Sequence, residues 1–131
     1  MRRVILMLAL AVVSSSAISA DWVAVGGTNS AVVYVNPNLI HIAGNMVKVW
    51  SIYDFETAQV IQRTKPYMSI QRQVEFDCKQ ELRSRDLYVS FHTGKMGTGG
   101  TIFSEIPPLK WAPFAPKSTD ERLWKMACGK M

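Results

Sequence analysis

Only two cysteines, Cys78 and Cys128, occur among the 131 residues, and whether they bond decides which parts of the chain must lie together. The start of the chain bears on this. Met1, Arg2 and Arg3 form a positive opening, Val4 to Val13 is an apolar block, and Ser14 to Ala20 is a run of small residues. This layout predicts a secretory signal peptide over residues 1–20. Cleavage after Ala20 would leave Asp21 first; cleavage after Ser19, with Ala17 at −3, is the runner-up. A buried N-terminal helix would leave the arginine pair and the serine run unexplained. The apolar block is too short to span a bilayer. No cysteine stands at the cleavage region, so a lipid anchor is not expected. An exported chain meets an oxidising compartment. The two cysteines form no C-x-x-C motif, and their spacing to His41 and His92 does not suit zinc. A structural Cys78–Cys128 disulfide is therefore expected. Closing a loop of about 50 residues contributes about 4 kcal/mol by chain entropy, a large share of the roughly 5–15 kcal/mol that holds a domain folded.

Composition narrows the class. The chain is 48% hydrophobic and 19% charged, which excludes wholesale disorder and leaves residues 21–131 as one domain. The formal charge is +5, and without Arg2 and Arg3 the 15 basic residues fall to 13 against 10 acidic ones. That surplus is mild and spread along the chain, unlike a nucleic-acid binder. No apolar run has the length of a membrane span.

Strand signals dominate up to the prolines. Trp22 to Gly26 and Ala31 to Val35 read as short strands around an Asn29-Ser30 turn. Asn36-Pro37-Asn38 stops the second, and Leu39 to Ile42 could be a brief third. Met46 to Phe55 is β-branched and aromatic throughout, the mark of a central strand covered on both faces. Glu56 to Pro66 reads as a polar connection. Ser69 to Cys78 alternates: Ile70, Val74, Phe76 and Cys78 share one face, with Arg72 as an intruder expected near the rim, while Ser69, Gln71, Gln73, Glu75 and Asp77 share a face expected to meet solvent. Leu87 to Thr93 alternates too, joined to the previous strand by a short charged hairpin link, Lys79 to Asp86. Gly94 to Gly100 reads as a flexible hairpin tip leading into Thr101 to Ser104, and Glu105 to Pro116, with four prolines, as an extended connector. Ser118 and Glu121 form a capping box, and Leu123, Trp124, Ala127 and Cys128 an apolar stripe at helical spacing, with Gly129 as the C-terminal stop. The fold expected is α+β: an antiparallel sheet of about six strands with one C-terminal helix packed on it and pinned by the disulfide.

Motifs for chemistry are absent. There is no G-x-S-x-G. His41 and His92 lack a partner motif and read as strand or turn histidines. GKMGTGG lacks the order of a phosphate loop and opens no helix. Glu75 and Asp77 read as a solvated pair. No catalytic residue, metal ligand or cofactor is expected. Basic residues include Lys48, Arg63, Lys65, Arg72, Lys95, Lys110 and Lys117. The densest group is Lys79, Arg83 and Arg85, a candidate contact for an anionic partner such as lipopolysaccharide, a heparin-like glycan or an acidic protein surface, balanced in sequence by Glu81 and Asp86. Trp50, Trp111 and Trp124 read as core or sheet–helix packing rather than a sugar platform.

Three segments, in order, resemble the surface-adhesin protein E family of exported bacterial proteins: YVNPNLIHIAGNMVKVWSIYDF from Tyr34 to Phe55, SIQRQVEFDCK followed by Arg83 or Arg85, and WAPFAPKSTDERLWKMAC from Trp111 to Cys128. The resemblance implies an antiparallel sheet with a disulfide-linked C-terminal helix, and a non-enzymatic protein that binds host extracellular-matrix proteins. The namesake type is a surface lipoprotein, whereas no lipid-anchor cysteine is seen here. Two main functional expectations follow. One is an exported binding protein directed at a host matrix protein. The other is a soluble periplasmic component that binds a bacterial envelope protein or self-associates. An enzyme using His41 or His92 beside a carboxylate is a third.

Overall fold

The computed structural model describes residues 21–60 and 65–130. The signal-peptide reading of residues 1–20 lies outside them, as do Arg63 and the middle of the connection expected over Glu56 to Pro66. Within the described residues, the β-branched and aromatic runs become strands β1 (Val23–Gly27), β2 (Ala31–Val35), β3 (His41–Ala43), β4 (Met46–Gln59), β5 (Tyr67–Asp77), β6 (Arg83–His92), β7 (Thr101–Glu105) and β8 (Ala112–Pro113), followed by helix α1 (Thr119–Ala127). The sheet order is β1-β2-β4-β5-β6-β7, with β3 paired to β4 and β8 to β6, and every pairing is antiparallel. Six strands thus form the continuous sheet, as expected; β3 and β8, three and two residues long, are short additions. β4 is central, between β2 and β5, and runs four residues past the expected end at Phe55, with an irregularity between Asp54 and Gln59.

Residues paired across antiparallel strands project from the same face. One face carries Val35, Ser51, Arg72 and Val89 in a row. Here α1 packs. Val35, Val47, Val49, Val74 and Phe76 from the strands meet Leu123, Trp124 and Ala127 from the helix in one buried cluster. The helix starts as the capping box requires: the Ser118 Oγ accepts a hydrogen bond from the Glu121 amide at 3.3 Å. The Glu121 carboxylate reaches back to the amide of Lys117, one residue beyond the usual partner; that hydrogen bond holds its pKa below the usual carboxylate value. Gly129, at φ +67°, ends the helix where a side chain would be strained. Cys78, at the end of β5, is bonded to Cys128, with Cα atoms 5.5 Å apart. The Trp124 indole N–H donates to the Asp77 carbonyl at 3.3 Å beside it. The helix is therefore tied to the sheet by apolar burial, a covalent bond and a hydrogen bond at the same end.

Arg72 is not at the rim. It stands in the middle of the helix-side face, and its guanidinium forks onto the first turn of α1, with Nη1–Asp120 Oδ1 at 2.7 Å and Nη2–Asp120 Oδ2 at 3.3 Å. Its Nε donates to Asp86 Oδ1 at 2.6 Å. Burial disfavours its charge, but the hydrogen-bonded Asp120 and the charge of Asp86 outweigh that and raise its pKa. Tyr53 lies against the same group; burial raises its phenol pKa, opposed by Arg72. Beyond this network the helix gives out, and the face continues as an aromatic row, Phe55–Tyr67–Phe91–Phe103, with successive ring centres 5.7, 4.9 and 5.8 Å apart.

Candidate binding face

Among the described residues no α-helix lies over the second face of the sheet. Its rows are Lys48–Glu75–Arg85, Trp50–Gln73–Tyr88, Ile52–Gln71–Ser90 and Asp54–Ser69–His92. The face is polar, as its alternation indicates, but it is not simply solvated. Glu75 is only 5% exposed, because Arg85 Nε donates to its Oε1 at 2.6 Å. The expected solvent-exposed Glu75–Asp77 pair is corrected accordingly: Glu75 is one half of a cross-strand ion pair, while the Asp77 carboxylate accepts the Lys79 amide in the turn.

The glycine-rich segment is corrected too. It is the β6–β7 connection, but instead of a flexible tip it forms a strap folded back over this face. Asp54 accepts the Met96 amide at 2.8 Å and the Lys95 ammonium at 3.0 Å. Ser69 Oγ donates to the Gly94 carbonyl at 2.6 Å and accepts the Gly97 amide at 2.8 Å. Met96 and Gly97 sit at φ +55° and +74°, the left-handed turn that lets both amides point inward. Ile52, Asp54 and Ser69 are buried beneath it.

The strap leaves the other end of the face open. There Trp50 and Tyr88, from strands two apart, meet edge to face over Gln73 with ring centres 5.8 Å apart. Next to them the Arg85 guanidinium lies 4.7 Å from the centre of the Trp111 ring. All four side chains are partly exposed. Only Trp124 of the three tryptophans singled out packs between sheet and helix; Trp50 and Trp111 belong to this open face. The sequence did signal it: Trp50 falls on the opposite alternation phase from Val47 and Val49. Arg85's partners were not legible, because they come from β5 and from the proline-rich connector.

The candidate basic residues divide. Lys79 and Arg83 are exposed, at the turn after β5 and the start of β6, whereas Arg85 is committed to Glu75 and Trp111. Asp86, expected to balance the cluster, is engaged by Arg72 on the other face. Arg85 and Asp86 are neighbours on β6 and so face opposite sides of the sheet, and a bulge just after them leaves Leu87 without a partner on β5. His41 is exposed on β3. His92 is buried, with Nε2 at 2.8 Å from Ser90 Oγ, and burial lowers its pKa. Ser90 is 1% exposed, so in this arrangement the serine–histidine contact serves strand packing and offers no accessible nucleophile.

The family described as surface-adhesin protein E matches residues 22–129. Solved structures of Haemophilus influenzae protein E share the fold. Its crystal form II is 13% identical, covers 84% of this chain and 88% of that one, and has a TM-score of 0.63. A second structure of the same protein gives 13% identity, coverage of 84% and 85%, and 0.60. The protein from a non-typeable strain gives 11% identity, coverage of 84% and 76%, and 0.59. No curated protein sequence matches. Among the described residues no helix is long and apolar enough to cross a membrane. With the family matched from the first strand to the residue after the second cysteine, the chain belongs to the surface-adhesin protein E family.

Proposed function

We propose that this is an exported, non-enzymatic binding protein that engages a protein partner through the open end of the helix-free face. Family membership supports an adhesin-like surface or exported protein. The observation that carries the site is the meeting of Trp50, Tyr88, Arg85 and Trp111 on one partly exposed surface. Tryptophan, tyrosine and arginine are the residue types that dominate binding energy at protein interfaces. The Trp50 and Tyr88 rings are held at fixed spacing by strands of one sheet, so little side-chain freedom is lost on contact. A host extracellular-matrix protein is the partner proposed. Lys79 and Arg83 would then add charge near the edge of the contact, tuning its rate more than its strength.

The test is capture of purified matrix proteins on immobilised protein, beside protease treatment of intact cells. Digestion of the protein on intact cells, with capture lost in Trp50→Ala/Tyr88→Ala, is the expected result. A protein protected inside the cell envelope, which captures only bacterial envelope proteins, would move the function to the periplasmic alternative.

A further inference from the structure

Among the described residues, ion pairs engage Arg72, Arg85, Lys95 and Lys125. The exposed cations, Lys125 included, are not evenly spread. Four basic residues follow α1 from end to end: Lys117 just before it, Arg122 and Lys125 three residues apart on its outward ridge, and Lys130 just beyond. All four are exposed. The helix is nine residues long, about 14 Å at 1.5 Å per residue, and the flanking lysines lengthen the row. The two carboxylates of the segment barely oppose it. Asp120 is turned inward to Arg72. Glu121 caps the Lys117 amide and meets Lys125 at 3.5 Å, which offsets one charge of four. Two of the cations are also positioned. The Arg122 stem runs over the bare backbone of Gly26, where a Cβ would stand 3.4 Å from its Cδ. The Lys130 ammonium lies 5.5 Å from the centre of the Trp124 ring. Lys79 lies across the disulfide, on the turn after β5 and not on the helix.

We infer that the outward ridge of α1 is a second binding site, for a linear acidic polysaccharide. A run of exposed cations along one helical segment complements a chain of regularly spaced carboxylates or sulfates. A membrane surface fits less well, because the helix buries its apolar stripe against the sheet and has none left to insert. A protein partner fits less well, since the ridge presents no aromatic anchor. The site is separate from the aromatic face and does not depend on it.

The test is equilibrium binding of a heparin dodecasaccharide to the purified, disulfide-bonded protein at several salt concentrations. Arg122→Gln/Lys130→Gln removes two ridge charges and keeps the Lys125–Glu121 pair. Lys65→Gln/Lys110→Gln removes two exposed charges elsewhere. Thermal unfolding confirms that each variant folds. Expected are binding that weakens as salt rises, affinity about tenfold lower in the ridge variant, and little change in the control. Three results would overturn the site: no binding at low salt, equal losses in both variants, or capture by phosphatidylglycerol vesicles without binding of the dodecasaccharide.

Discussion

The two faces of this sheet are made by the same strands, yet they are organised differently. On the helix side the side chains are chosen for volume. Valines, Phe76 and Leu123 fill the space, and the one charge among them, Arg72, is matched by two carboxylates from other elements. On the open side no α-helix of the described residues supplies partners, and three buried polar side chains find theirs across the strands or in the strap: Glu75 in Arg85, Asp54 and Ser69 in the Gly94–Gly100 segment. The first arrangement makes the fold stable. The second holds aromatic and guanidinium groups in place while leaving them partly accessible, which is what a recognition surface needs.

This division can be challenged by substitution. Replacing both cysteines by serine should cost most, about 4 kcal/mol in urea denaturation, while the aromatic face keeps its partner at temperatures where the protein stays folded. Loss of binding by a folded variant would show that the faces are coupled. Arg72→Met should cost about 2–3 kcal/mol, because it strands Asp120 and Asp86; Asp86, with its side chain 40% exposed, softens the loss. Trp50→Ala/Tyr88→Ala should cost less, about 1 kcal/mol from the ring pair beyond the area it covers, yet abolish partner capture. A stability loss as large as that of Arg72→Met would make the open face a second core. The smallest effect is pH-dependent. Burial lowers the folded pKa of His92 below its ordinary 6.5, so the unfolded chain binds the proton first as pH falls. Stability attributable to His92 is present above about pH 6.5 and is lost on acidification towards the folded pKa. Denaturation midpoints between pH 7 and pH 5 should fall less steeply in His92→Gln than in the parent protein.

Local rules carried the sequence reading where a feature is decided within a few residues. The Ser118 cap, the Leu123–Trp124–Ala127–Cys128 stripe, the Gly129 stop and the strand alternation of β5 were all legible, and the disulfide followed from them together with the exported layout. The misplaced features depend on distant partners. Arg72 breaks an apolar phase and so suggests a rim, but its main partner lies 48 residues on. Glu75 looks solvated until Arg85 is brought beside it by the β5–β6 pairing. The glycines of the strap read as freedom, and only the tertiary fold reveals Asp54 and Ser69 waiting beneath them. The aromatic face was half visible: the phase of Trp50 could be read, its company could not.

The strap also bears on how the protein can be modified. Gly94–Gly100 resembles the ideal place for an affinity tag or an inserted epitope, being small, polar and at a hairpin. Its amides, however, are the ligands of two buried oxygens, and Gly99, at φ +77°, leaves only 2.3 Å between a Cβ and the Thr93 hydroxyl. An insertion there would unseat the strap from Asp54 and Ser69 and lower the melting temperature. The same insertion at Leu109–Lys110, on the exposed proline-rich connector, should leave the melt unchanged.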